Sequence, residues 1–435
     1  MDNQVEQETP AESGKDTARR LPAGVADAAF ASLATFAAGL SAVNLFNDVD
    51  RGVYAVFFTA FGLGVVLPWD LILIPAEVNA VSFAVADRMR RARDTLKMGL
   101  RASLVGSLAI VVAAFISRSL TDSDVIWGLA LTGVVATVLS PLQDHMRRLL
   151  HIAELSWKAA VVSGVQFLGV VATLGVMFLL DAPVAIMPFG SLAIANALSL
   201  TTGMILGDVV HQEPLEEPLR FWTLAREGRW LLTQAMLPSV AHFAVAAIIV
   251  ALAGVEALGY TEAARVVAQP VLVFATGLTA VLAPRAMKAA MDRDQAAARH
   301  TRRIYMALML AGGFVYLIAA STEWIWNPMQ YLVPAAYVIP WLVAAKIVSN
   351  MTTASMYLDV NELLGAQKAK PMAGIAIVTS PILVLIAFTA GSTGAFARPF
   401  GLMVRDIVQI GWYRATLNRH YSGVRRPARG QTAPK

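Results

Sequence analysis

Long apolar stretches alternate with short polar connections along this chain. About twelve of the stretches approach the ~20 residues an α-helix needs to cross the hydrocarbon core of a bilayer. They cover roughly 24–44, 52–78, 98–117, 125–143, 159–180, 186–208, 230–253, 262–284, 304–321, 333–357, 371–390 and 394–413. The pattern predicts an all-α polytopic membrane protein of about twelve transmembrane helices. Several spans are not uniformly apolar: the first holds Asp27, Ser32, Thr35, Ser41 and Asn44 among alanines. Small residues let helices approach closely, and polar ones point to a wet cavity rather than a lipid-facing wall.

Positive charge is sorted by loop parity. Of 35 Lys and Arg residues, 29 lie in the tails and the even-numbered connections. The connection 84–101 and the connection 285–303 hold the densest groups. The odd connections hold Arg51, Arg118 and Arg398, and Arg265, Lys346 and Arg405 fall inside spans. Cytoplasmic loops carry this excess, so both termini are expected in the cytoplasm. The connection 211–229 divides two six-helix halves, 24–210 and 230–415. Residues 1–23 and 416–435 read as cytoplasmic tails, the first disordered and the second basic. Phe221, Trp222, Leu224 and Ala225 of the dividing connection suit a membrane interface. A faint internal echo links the halves. Gly52 and Gly259 open corresponding spans at an offset of 207 residues, and Pro75 and Pro284 near their ends are offset by 209. Duplicated halves are a common transporter plan.

Composition narrows the functional class. The chain is 57% hydrophobic and 15% charged, against about 25% charged in soluble domains. The net charge of +5 is explained by loops facing anionic headgroups, so no nucleic-acid partner is expected. There is no cysteine, which removes thiol chemistry and cysteine metal sites. No Walker lysine loop, no His-Glu-x-x-His and no metal-ligand cluster occurs, so no cofactor, no metal and no enzyme activity is expected. An integral-membrane glycosyltransferase or ligase usually needs a large outer loop with paired acids. The close outer pair here, Asp122 and Asp124, sits in a short turn.

Charges inside spans are costly, at about 2.5–3.5 kcal/mol each on insertion scales, and are the first candidates for function. Arg265 follows Glu262 by three residues, on one helical face. The pair either neutralises itself or offers a cation to an anionic headgroup. Lys346 has no acidic residue within one turn along the sequence, and either snorkels or faces a cleft. Arg405 and Asp406 point about 100° apart, toward different partners or across the two halves. Asp27 is a coupling-ion site or a favourable charge at a helix start. His242 is a protonation switch or a packing residue. Gln143, Asp144, Arg147 and Arg148 form a polar helix end in which Asp144 and Arg148 suit an i,i+4 pair. This end is either that structural pair or a gate at the cytoplasmic mouth. Asp70 and Glu77 are expected to meet the basic connection 88–101.

Three segments carry a family resemblance. Asp27-Ala28-Ala29-Phe30 through Gly52-Val53-Tyr54-Ala55 resembles the opening of polysaccharide and lipid-linked oligosaccharide flippases, the O-antigen flippase-like family of the multidrug/oligosaccharidyl-lipid/polysaccharide exporter superfamily. Pro141-Leu142-Gln143-Asp144 through Arg147-Arg148 resembles a Leu-Gln-Asp-x-x-Arg stretch of that family. Ala263-Ala264-Arg265 through Gln269-Pro270 to Ala283-Pro284-Arg285 resembles its Arg-x-x-Gln-x-x-x-x-Pro pattern, in compressed form. The chain departs from the family at Arg51, where Phe is usual, and at Pro75-Ala76-Glu77, where a Glu-Pro pair is usual. The resemblance implies two six-helix lobes around a central cleft, alternating access, and a polyprenyl-diphosphate-linked oligosaccharide as cargo in a bacterial inner membrane. On this reading Arg265, Lys346 and Arg405 bind the diphosphate. Asp27, Glu262, Asp144, Arg147 and Asp406 are the coupling or gating candidates. Membrane lipids and a glycan polymerase or glycosyltransferases are the expected partners. A multidrug or metabolite antiporter of the same fold, and a scaffold without transport, stay open at this point.

Overall fold

A computed structural model of the chain describes residues 14–46, 48–119, 121–212, 219–253, 255–320 and 339–422. Among them the secondary structure is helical and contains no strand. The first half comprises α1 (Gly14–Leu45), α2 (Asp48–Pro68), a π-helical turn (Trp69–Leu73), α3 (Ile74–Val81), α4 (Ala92–Gly106), α5 (Leu108–Ser117), α6 (Ser123–Ile152), α7 (Ser156–Leu179) and α8 (Met187–Leu206). The second half comprises α9 (Phe221–Ala253), α10 (Val255–Met291), α11 (Gln295–Ala320), α12 (Pro340–Ser355), α13 (Tyr357–Gly365), α14 (Ala369–Ala387) and α15 (Ala397–Ser422). Nine described helical stretches are long and apolar enough to cross a membrane.

Several helices outrun their apolar spans at the end that carries the cations, here called the basic end. α1 begins at Gly14, inside the stretch read as a tail, and α15 continues to Ser422, past the expected boundary at 415. α6 runs to Ile152 rather than stopping near 143. Hydropathy stops at the first charged turn, whereas these turns stay helical because their charges are bonded to neighbouring helices. The dividing connection is helical from Phe221, and residues 213–218 lie outside the described residues. Leu224 buries against Ile72, Leu73 and Met98 of the first half, with Phe221 and Ala225 packed beside it, while Trp222 stands exposed. The face read as interfacial is therefore split, with its apolar side docked on protein.

The halves share one packing scheme. α1 packs on α7, α7 on α8, and α6 on α8; correspondingly α9 packs on α14, α14 on α15, and α12 on α15. Buried polar bonds repeat as well. Gln166 of α7 donates to Asn196 of α8 at 2.7 Å, and Gln409 of α15 donates to Thr379 of α14 at 2.7 Å. A shift of 213 residues carries both members of one pair onto the other.

Two glycine crossings join the halves near the basic end. A Cβ on Gly24 of α1 would fall 2.4 Å from the Gly277 carbonyl oxygen of α10. A Cβ on Gly228 of α9 would fall 2.1 Å from the Leu71 carbonyl oxygen, in the π-helical turn. Proline chemistry explains the second contact. Pro75 has no N–H to give the Leu71 carbonyl four residues earlier. The turn widens, the Ile74 N–H reaches back to Trp69, and the exposed carbonyl receives the bare face of Gly228. Around these crossings Leu142, Met146 and Leu150 of the first half share one apolar cluster with Met287, Leu363 and Leu417 of the second. The halves are thus joined at the basic end.

Candidate functional site

Charged side chains are concentrated just inside the basic end. Asp27 is 1% exposed, a position an ionised carboxylate holds only when bonded. Arg147 Nη1 donates to its Oδ2 at 2.8 Å, and Ser163 Oγ donates to its Oδ1 at 2.6 Å. His151 Nε2 lies 3.0 Å from the same Oδ2, and its Nδ1 lies 3.1 Å from Ser156 Oγ. The other arm of Arg147 donates to Asp144 at 3.0 Å. Asp27, Asp144 and Arg147 are therefore brought together, as one α1–α6–α7 junction. Asp144 takes Arg147 rather than the expected Arg148. His151 and Ser163 were not singled out from the sequence. The signal for His151 was present, because it follows Arg147 by one helical turn on the same face.

Arg148 turns instead to Glu77. Its Nη1 donates to Oε2 at 3.0 Å, while His145 Nδ1 lies 2.9 Å from Oε1. His145 Nε2 is 2.9 Å from Thr95 Oγ1, and the Arg148 guanidinium lies over the Trp69 ring at 4.8 Å. Glu77 thus meets α6 rather than the basic connection 88–101, of which Arg88 and Arg91 have other partners. Arg88 donates to the Ile152 carbonyl at 2.6 Å, closing the end of α6 where cations are favoured. Burial pulls the Arg88 guanidinium below its ordinary pKa, and Glu154 opposes that shift. Arg91 donates to Asn79 at 2.9 Å.

The second half carries a cluster of opposite layout. Here α13 supplies the acids: Asp359 and Glu362 are each 0% exposed. Arg302 of α11 lies 2.9 Å from Asp359, off hydrogen-bonding angle, and donates to Glu362 at 2.6 Å. Arg414 donates to Asp359 at 3.2 Å, and Tyr421 Oη donates to Glu362 at 2.7 Å. These acids received no notice in the sequence because they lie beyond the span assigned to 333–357. A buried hydrogen bond to a charged group contributes about 1.5–3 kcal/mol. Tyr421→Phe is therefore expected to lower unfolding stability by about that amount, measured by thermal unfolding in detergent.

Arg405 and Asp406, read as facing different partners or pairing across the two halves, bond to each other. Arg405 Nε donates to Asp406 Oδ1 at 2.8 Å, its long side chain closing the angle between adjacent positions. Thr353 of α12 donates to the other Asp406 oxygen at 2.5 Å. Lys346 is buried on α12, and His242 is half-buried on α9. Arg265 stands exposed on α10, while the Glu262 side chain lies outside the described residues.

No family model matches the sequence, and no curated protein matches it. Solved structures share the fold across nearly the whole chain. A MOP-superfamily transporter from Pyrococcus furiosus, described with a binding pocket of reversed polarity, is similar at a TM-score of 0.73 and 14% identity, over 93% of this chain and 96% of that one. A multidrug-resistance MATE-family transporter in an outward-facing conformation is similar at a TM-score of 0.71 and 13% identity, over 93% and 96%. A MATE structure in complex with MaD5 is similar at 0.75 and 13% identity, over 94% and 97%. The chain is a multi-pass membrane protein with the fold of MATE and MOP-superfamily transporters.

Proposed function

We propose that the chain is an alternating-access exporter that moves a polyprenyl-diphosphate-linked oligosaccharide across a bacterial inner membrane. The observation that carries this reading is the fold, shared over 93% of the chain with a MOP-superfamily transporter described with a binding pocket of reversed polarity. Among the described residues Asp27, Glu77, Asp359, Glu362 and Asp406 are buried against cations, and Arg265 lies within a span of α10. An arginine inside a span suits an anionic headgroup. Arginine's planar fork binds phosphate oxygens in pairs and keeps its charge. The charge rule assigns the joined basic end to the cytoplasm. On this reading a cleft opens to the opposite side, and the two glycine crossings are where the halves part when it reverses. Lys346 and Arg405 are buried in this state and join the headgroup site on opening. Asp27, Asp144 and Arg147 form the coupling junction of the first half, with Glu262 and Asp406 their counterparts in the second. Glycosyltransferases upstream and a polymerase downstream are the natural partners.

The antiporter reading is favoured by one specific finding, the multidrug-resistance transporter of the same fold. It requires cationic cargo and therefore a carboxylate released from its partner. A deletion strain separates the two. Under the flippase reading, lipid-linked oligosaccharide accumulates on the cytoplasmic leaflet, wild type relieves it, and Arg265→Ala, present at wild-type level, relieves it at least about tenfold less, as for loss of one phosphate contact of about 1.5–3 kcal/mol. Unchanged glycolipids together with altered sensitivity to cationic compounds would establish the antiporter instead.

A further inference from the structure

Trp230 stands near the basic end of α9, where the apolar part of that helix begins. Cations from two helices lie over its ring. The Arg229 guanidinium is 5.1 Å from the ring centroid, and Lys370 Nζ of α14 is 5.7 Å from it. α9 and α14 pack on each other, so a helix–helix contact brings these cations together. Arg226 lies one helical turn before Trp230, on the same face. Arg226, Arg229 and Lys370 are all exposed, and Trp230 is half-buried between them and the protein.

The charge of this group is not balanced from within. Arg147, Arg148, Arg302 and Arg414 each hold a carboxylate. No described carboxylate forms an ion pair with Arg226, Arg229 or Lys370, and Glu227 on the same turn pairs with none of them. Lys370 also lies in the first turn of α14, where the helix dipole disfavours a cation. Like charges drawn to one ring repel. The ring face offsets part of that cost, and an anion held by the cations together offsets more.

The surroundings say which anion. Lys370 heads a face of α14 that continues through Ile377, Val378, Leu385 and Phe388, all exposed and apolar. Gly374, one turn from Lys370, leaves open space on the way, because a Cβ there would meet nothing within 4 Å. Apolar side chains exposed on a spanning helix meet acyl chains, and a tryptophan at the end of a span sits at headgroup level. A free anion uses the cations alone, whereas a phospholipid uses the cations and the apolar face below them.

We propose that Arg226, Arg229 and Lys370, arranged around Trp230, bind the phosphate of an anionic phospholipid whose acyl chain lies along the Gly374 face of α14. Basic pockets between spanning helices hold acidic headgroups in this manner. The lipid ties α9 to α14 at the membrane surface, and its binding is independent of what the chain transports.

Native mass spectra of the full chain in neutral detergent, titrated with phosphatidylglycerol, test the site. Wild type is expected to retain phosphatidylglycerol in preference to phosphatidylcholine of the same chains. Arg229→Gln with Lys370→Gln is expected to weaken that binding by about fivefold for each cation removed. Removing two exposed cations elsewhere at the basic end, Arg93→Gln with Lys97→Gln on α4, is expected to leave it unchanged. Equal melting temperatures of the two double variants and wild type in lipid-free detergent show that all are folded. Wild-type retention by Arg229→Gln with Lys370→Gln overturns the proposal, as does an equal loss in the α4 variant, which would make the binding a matter of net charge. Absence of any preference for phosphatidylglycerol in wild type overturns it too. Displacement of the lipid by inorganic phosphate, or the same rise in melting temperature from phosphate alone, would assign the cations to a free anion and contradict the lipid.

Discussion

Replacing Arg147 with alanine is expected to lower stability by about 3–5 kcal/mol, the usual cost of removing one partner of a buried ion pair. The guanidinium is 13% exposed and divides its two arms between Asp27 and Asp144. Its loss leaves Asp27 with His151 and Ser163, at a position otherwise closed to water. Transport is expected to disappear with it, because Arg147 carries the charge that balances Asp27 at the α1–α6–α7 junction. The measurement is unfolding by thermal melt in detergent, with Asp27→Asn as the second arm of a double-mutant cycle. Asp27→Asn removes the charge Arg147 was neutralising, so the double variant is expected to recover part of the loss. A loss below about 1 kcal/mol, the range of exposed pairs, would show that the pair is open to water.

Gly228→Val is the second large effect, and it acts on conformation rather than folding. The new Cβ would lie 2.1 Å from the Leu71 carbonyl oxygen and 2.6 Å from that of Asp70. Both are backbone atoms that cannot rotate away. Overpacking of this kind costs about 1–3 kcal/mol, and here it falls only on the state in which the joint is closed. The equilibrium between closed and parted basic ends is then expected to move about 5–150-fold toward parting. The distance between spin labels at Trp157→Cys and Ala297→Cys, exposed positions near the basic ends of α7 and α11 in a chain without cysteine, reports this directly, and an unchanged distance would mean that the crossing does not hold the halves together. Gly24→Val is expected to act in the same direction, through Gly277 of α10.

The helical membrane class was legible because hydropathy and charge parity act over whole spans and loops. Helix ends were not, because their charged turns are stabilised by partners on other helices. Asp27, Asp144 and Arg147 could be picked out singly as costly or polar positions. That Arg147 rather than Arg148 faces Asp144 depends on the rotation of α6 against α1 and α3, which an i,i+4 count does not contain. The acids of α13 were hidden by a boundary error of a few residues. The π-helical turn was hidden more deeply. Pro68 and Pro75 were visible, but an insertion of this kind is decided by what fills the freed carbonyls, and Gly228 is distant in sequence. Two of the three stretches that carried the family resemblance, around Asp27 and around Arg147, meet in one junction.

Vesicles containing the purified full chain and a fluorescent polyprenyl-diphosphate-linked oligosaccharide give the most direct test of the transport assignment. The readout is the fraction of fluorophore open to a membrane-impermeant quencher. The account predicts that this fraction changes with time in wild type and far more slowly in Arg265→Ala. No movement of the glycolipid by wild type, together with uptake of a cationic dye, would contradict it.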